Sequence, residues 1–180
     1  MKLLARHIGA RDLVSIRRDD IDDAAIQGYV LGLSQELVAL QYVYDFHLDG
    51  LLFLRTGDIT DVNCSRTDRF QRELLSREGL ERDIPFEKPF DLANWHALVG
   101  QLAREFPLMV VECEALDDPD FVIGRVHALH ESAVEFEHFS GAASWSRELA
   151  DIELRDITAC RANSNYVNFY RRHFERLALS

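Results

Sequence analysis

The densest group of side chains able to do chemistry lies between positions 127 and 138. It contains His127, His130, Glu131, Glu135, Glu137 and His138. Side chains alternate between the two faces of a strand, so two adjacent strands here would bring His127 beside a glutamate. Imidazole and carboxylate groups together can bind zinc or another divalent ion. The sequence therefore predicts a metal site at His127, Glu135 and Glu137, or alternatively a solvated strand face with cross-strand charge pairs.

A second candidate site is the aromatic and basic stretch near the end of the chain. Tyr166, Tyr170, Arg171 and Arg172 lie within one helical pattern. Aromatic rings and arginines together can stack on nucleic-acid bases. The alternative is a helix that packs its aromatic residues inward and holds its arginines in solvent.

Two acidic clusters form a third candidate surface. Each could dock a basic partner or bind a cation weakly, and each could equally be a solvated turn. Their members are Asp19, Asp20, Asp22 and Asp23 in the first cluster, and Asp117, Asp118 and Asp120 in the second.

Catalytic signatures are absent from the sequence, and no cofactor is predicted. The chain has no GxSxG, P-loop, GxGxxG or HExxH motif. Its cysteines, Cys64, Cys113 and Cys160, are widely spaced and odd in number, which argues against a disulfide framework or a CxxC zinc site. We expect reduced, partly buried thiols and a protein that is more readily a binding module than an enzyme.

Composition narrows the class of partner. The net charge of −11 and the pI near 5.0 would repel a phosphate backbone at long range, which disfavours nucleic acid. Hydrophobic residues make up 47% of the 180 residues, enough for a packed core. No apolar run is long enough for a membrane span or a secretory signal, so we expect a cytoplasmic protein with no membrane partner.

One stretch of the sequence recurs in diverged form. The segment 28–40 can be laid on 124–136 without a gap, and the tripeptide Asp-Ile-Thr at 58–60 recurs at 156–158. Two extra residues near 141–144 account for the longer spacing in the second copy. A collinear series of matches predicts an internal duplication.

Each copy reads as a series of short strands joined by turns. We expect a tight turn after the second strand and a looser, variable hairpin at 45–50 or 140–146. The predicted strands are 12–17, 25–33, 37–43, 51–55 and one from 59 in the first copy, and 108–114, 121–130, 133–139, 147–154 and one from 157 in the second. Strands of this length and spacing favour a meander that closes into a small barrel.

Helical periodicity indicates helices that flank the predicted strands of the two copies. It predicts helices at 67–78, at 91–105 with Asp91 as the N-cap, and from about Asn165. The stretch 81–90 has two prolines and no periodicity, so we interpret it as the linker. The expected domains are therefore a first repeat at 1–80 and a second repeat at 91–180.

A helix, a five-stranded meander and a glycine in the second strand resemble the Sm-like or SH3-like small barrel. The Gly-x-Val of Sm-like second strands matches 28–30 and 124–126. The chain is also similar to duplicated bacterial proteins of unknown activity. The resemblance implies a mainly β, α+β fold of two tandem five-stranded antiparallel Sm-like or SH3-like barrels with helices. It also implies RNA binding as an alternative function, although the loops carry no clean match to the base-clasping residues.

Together these features predict a non-enzymatic binding or regulatory module. The partner would be a protein or small ligand, and self-association into a homo-oligomer is possible. Sm-like RNA binding is the first alternative. A metal protein or enzyme that uses the region of His127, His130, Glu135 and Glu137 is the second.

Overall fold

An antiparallel sheet flanked by helices makes up each half of the chain. The computed structural model describes residues 2–179 and divides into two units, Met1–Ala93 and Asn94–Ser180. The first unit contains α1 Lys2–Ala10, β1 Leu13–Arg18, β2 Asp22–Leu33, β3 Leu37–Tyr44, β4 His47–Arg55, β5 Asp61–Asn63 and α2 Arg66–Arg77. The second contains α3 Trp95–Glu105, β6 Met109–Cys113, β7 Asp120–Leu129, β8 Ala133–His138, β9 Ala150–Glu153, β10 Ala159–Ala162 and α4 Asn165–Ala178.

The five strands of each unit follow the same order. It is β5-β1-β2-β3-β4 in the first unit and β10-β6-β7-β8-β9 in the second, so the last strand returns beside the first. The mainly β, α+β prediction is confirmed. Each sheet is open, with its fourth and fifth strands at opposite ends, and the two closed barrels therefore stay a prediction.

The hydrogen-bond registers of the two units correspond pair by pair. Gly28 pairs with Tyr42 as Gly124 pairs with His138, and the β2–β3 and β7–β8 ladders slip at corresponding positions. Past the third strand the pairing in the second unit moves by two residues, so the extra residues lie between β8 and β9. Corresponding positions of the two units can therefore be compared side chain by side chain.

The threonine of each Asp-Ile-Thr ties the fifth strand to the first. The Thr60 hydroxyl donates to Asp19 at 2.8 Å and accepts from the Asp19 backbone N–H at 3.2 Å. Thr158 makes the same two bonds with Glu114, at 2.8 and 3.1 Å. A 3-10 helix, Thr56–Asp58 or Leu154–Asp156, precedes each threonine. The repeated tripeptide therefore marks a repeated structural clasp.

Gly28 and Gly124 are required by close approach of a neighbouring strand. A Cβ on Gly28 would lie 2.7 Å from the carbonyl oxygen of Gln41. A Cβ on Gly124 would overlap the carbonyl oxygen of Glu137 still more deeply. Side chains never occupy that space, so the repeated glycine has a steric cause in both units.

The helix after the fifth strand packs on a polar cluster in the first unit and on an apolar one in the second. Ser15 and Gln27 donate to the buried Asp68 carboxylate at 2.8 and 2.9 Å. The corresponding residues of the second unit are Val110, Ile123 and Val167, which are buried together with Leu108 and Phe139. Each helix is nevertheless capped by a serine, Ser65 or Ser164.

Several predicted boundaries are wrong for local reasons. The hairpin at 45–50 is tight because Asp45 and Phe46 both adopt positive φ, which extends β4 back to His47. Asp91 is not the N-cap of α3, since Asn94 accepts from Ala97 N–H instead. β9 is confined to Ala150–Glu153, and β5 and β10 begin two residues later than predicted.

The predicted linker packs on the first unit. Ile84 is buried, the Phe86 ring meets Tyr29 at 5.8 Å, and the Phe90 ring meets Phe53 at 5.1 Å. The segment 80–93 therefore covers one face of the first sheet. Among the described residues, no helix is long and apolar enough to cross a membrane.

Thiol reactivity should differ sharply among the three cysteines. Burial raises the pKa of Cys160 to about 12, Cys113 is also buried, and Cys64 is partly exposed. The thiolate is the reactive form, so we expect only Cys64 to react readily with Ellman's reagent in the native protein. Cys64→Ser should abolish this reaction, and guanidinium should expose the remaining thiols. Rapid reaction of all three in native protein would contradict this assignment.

Candidate ligand-binding groove

An open groove of about 730 Å³ lies on the second unit. Residues from β7, β8, the β8–β9 connection and the end of α4 form its walls. They are Arg125, Glu137, Ala143, Trp145, Ser146, Arg147, Leu149, Phe174, Leu177 and Ala178. Its volume lies in the range of ligand sites, and its lining combines apolar side chains with three charged ones.

The irregular β8–β9 connection positions Trp145. Ala143 takes a positive φ and donates to Ser140 at 2.8 Å, which turns the chain back. Ser146 N–H then donates to the carbonyl of His138 at 2.8 Å. The Trp145 ring consequently lies edge-on to Phe139 at 5.1 Å, with more than a third of the residue exposed.

The aromatic residues of α4 form the second wall. Phe174 contacts Phe139 at 4.9 Å and Trp145 at 5.0 Å, measured between ring centroids. The Tyr170 hydroxyl donates to Gly141 at 3.0 Å and ties the helix to the connection. Val167 alone is buried on α4, whereas Leu177 is 59% exposed. The helix therefore leaves apolar surface uncovered beside the groove.

A charged pair forms the end of the groove on β7 and β8. Arg125 Nε donates to Glu137 Oε2 at 2.7 Å, and His127 Nδ1 lies 3.1 Å from Glu137 Oε1. These hydrogen bonds, the one from Arg125 foremost, hold the pKa of Glu137 below its ordinary value. The Arg125 guanidinium also lies over the Trp145 ring, 5.1 Å from its centroid.

The corresponding face of the first unit is covered. Tyr29 pairs with Gln41 across β2 and β3 as Arg125 pairs with Glu137 across β7 and β8. Tyr29 is fully buried beneath Phe86, and burial raises the pKa of its hydroxyl. The Arg125 side chain is 58% exposed. One face is therefore closed by a polypeptide segment in the first unit and open in the second.

The predicted metal ligands fall into separate pairs. Glu137 is bonded to Arg125 and His127, while Glu135 lies 3.4 Å from His130. Within residues 2–179, no group of three or more His, Cys, Asp or Glu side chains is placed to hold a metal ion. The arrangement corresponds to the alternative that the sequence left open, a strand face with cross-strand charge pairs.

None of the four predicted residues of α4 lines the groove. Tyr166 is half exposed and meets Phe121 at 6.4 Å and Tyr170 at 5.2 Å. Arg171 bonds to Glu175 at 2.6 Å. Arg172 lies over the Phe169 ring at 4.5 Å. These contacts organise the outer surface of the helix beside the groove.

The acidic residues are all exposed, and they lie in the turn between the first two strands of each unit or at the start of the second strand. Asp19 bonds to Arg17 at 2.7 Å and to Thr60, which lowers its pKa. Asp22 accepts from the backbone of Ala24 at 2.9 Å. At least two of these carboxylates therefore serve the turn itself.

Sequence reasoning missed the groove because its walls are far apart in the chain. Trp145 and Leu149 belong to a connection without periodicity, whereas Phe174 and Leu177 follow the apolar pattern of a helix. The signal available in the sequence was a tryptophan in a variable loop, which could have indicated a binding surface.

Comparison with protein-family models, curated proteins and solved structures found no match for this chain. The function is therefore inferred from the geometry of the groove.

Proposed function

We propose that this protein is a non-enzymatic binding module, built on a duplicated small-barrel unit, that holds an extended polypeptide segment of a partner in the groove of its second unit. One observation carries the proposal. The same sheet face is covered by the segment 80–93 in the first unit and is open in the second.

The covering segment supports a polypeptide as the ligand of this face. Residues 84–90 read Ile-Pro-Phe-Glu-Lys-Pro-Phe, and two phenylalanines supply the contacts with the sheet and its neighbours. Prolines favour an extended backbone and lower the entropy lost on ordering. A partner segment with spaced aromatic or large aliphatic side chains would bury Trp145, Leu149 and Leu177 in the same way.

Selection from a random decapeptide library tests this function. We expect selected peptides to bind the protein and to lose at least tenfold in affinity with Leu177→Asp, because that change places a charge in the apolar wall. Phe169→Asp is the matched control, since Phe169 lies on the same helix, is 62% exposed and does not line the groove.

The result that would contradict the function is equally specific. If no peptide is enriched, or if Phe169→Asp and Leu177→Asp weaken the selected peptides equally, the groove is not a peptide site.

A further inference from the structure

The groove is lined by more positive than negative side chains. Arg125, Glu137 and Arg147 are the charged residues that line it. Arg125 and Glu137 neutralise each other through their hydrogen bonds. Arg147 is therefore left as the excess charge, in a protein whose net charge is −11.

Arg147 has no ion-pair or hydrogen-bond partner among the described side chains. Arg147 is exposed, and it lines the groove together with Ser146 and Leu149. Glu148, the next residue, does not line the groove, and its backbone N–H donates to Ser146 Oγ at 3.1 Å. A guanidinium beside apolar walls offers a forked donor to an incoming carboxylate.

Two other acidic side chains near the groove are already paired with other residues and not with Arg147. Glu137 is engaged by Arg125 and His127 on the strand face. Glu175 of α4 is engaged by Arg171. The charge that complements this groove is consequently negative, although the protein as a whole is acidic.

We infer that the segment bound in the groove carries an acidic side chain next to large apolar ones, with its carboxylate on Arg147. This inference rests on the proposed function and specifies the chemistry of its ligand. Apolar contacts with Trp145, Leu149 and Leu177 supply most of the affinity, and Arg147 selects among apolar segments by charge.

Matched peptides test the inference. The probe is a fluorescein-labelled peptide, Gly-Phe-Glu-Leu-Phe-Glu-Leu-Gly, compared by polarisation with the same peptide carrying glutamine at both glutamates. We expect the acidic peptide to bind about threefold more tightly, as for an exposed ion pair, and the preference to shrink as salt rises. Arg147→Ala should remove the preference while the glutamine peptide keeps its affinity.

Arg172→Ala is the matched control, since Arg172 stacks on Phe169 outside the groove. It should leave the preference for the acidic peptide intact. Equal binding of the two peptides by the native protein, a preference that survives Arg147→Ala, or no binding of either peptide would overturn the inference. The library selection judges the proposed function separately, because peptides of any charge can be enriched in it.

Discussion

Gly124→Ala is expected to destabilise the second unit by about 3 kcal/mol, the upper end of the usual cost of overpacking. The new Cβ would overlap the carbonyl oxygen of Glu137, which belongs to the backbone of the neighbouring strand and cannot swing aside. The free energy of unfolding, measured by guanidinium titration with circular dichroism, should fall accordingly. Amide exchange should accelerate in β7 and β8.

Two further glycines give a graded control. Gly28→Ala should cost less, because its Cβ would lie 2.7 Å from the oxygen of Gln41. Gly57→Ala should be nearly neutral, since nothing lies within 4 Å of its Cβ. If Gly124→Ala is no more destabilising than Gly57→Ala, then β7 and β8 do not approach each other closely at Gly124.

Asp68→Val is expected to cost about 3 kcal/mol, and a triple variant should recover most of that loss. Asp68 accepts hydrogen bonds from Ser15 and Gln27, so valine leaves partly buried polar groups without their acceptor. Adding Ser15→Val and Gln27→Ile recreates the Val110, Ile123 and Val167 cluster of the second unit. Replacing Asp68 and its two side-chain donors together by apolar groups should recover most of the loss, and the remaining cost is the Ser65 N–H, which still loses its acceptor.

The same variants predict a difference in acid stability. Burial disfavours the charged form of Asp68, but hydrogen bonds from Ser65, Gln27 and Ser15 outweigh it and lower the pKa. Because the folded pKa lies below the unfolded value, this stabilisation is present above the unfolded pKa and is lost as pH falls. The triple variant should therefore lose less stability in acid. Equal stabilities of Asp68→Val and the triple variant would contradict the correspondence of the two clusters.

The repeated features of the fold were readable from the sequence because they have steric or hydrogen-bonding causes. Gly28 and Gly124 stand where a strand leaves no room for a side chain. Thr60 and Thr158 make the same clasp. Because the same steric or hydrogen-bonding requirement acts in both units, these residues are the same in both copies although the surrounding sequence has diverged.

Other features depend on contacts that a pattern does not reveal. Asp45 and Phe46 form a tight turn at positive φ without the usual glycine, so the hairpin looked loose. The segment 81–90 looked like a linker because two prolines remove periodicity, although Phe86 and Phe90 pack on the strands of the first unit. The groove could not be predicted from the sequence, because no sequence pattern indicates that the second unit leaves the corresponding face open.

The most direct test of the binding function uses the two indole N–H signals of the ¹⁵N-labelled protein. Trp145 lines the groove, while Trp95 is buried in α3 and serves as an internal reference. On saturation with the acidic peptide, we expect a large shift of the Trp145 indole and of the Leu149 and Leu177 amides, with Trp95 unchanged. Saturable binding that leaves Trp145 unmoved and shifts residues of the first unit instead would contradict this expectation.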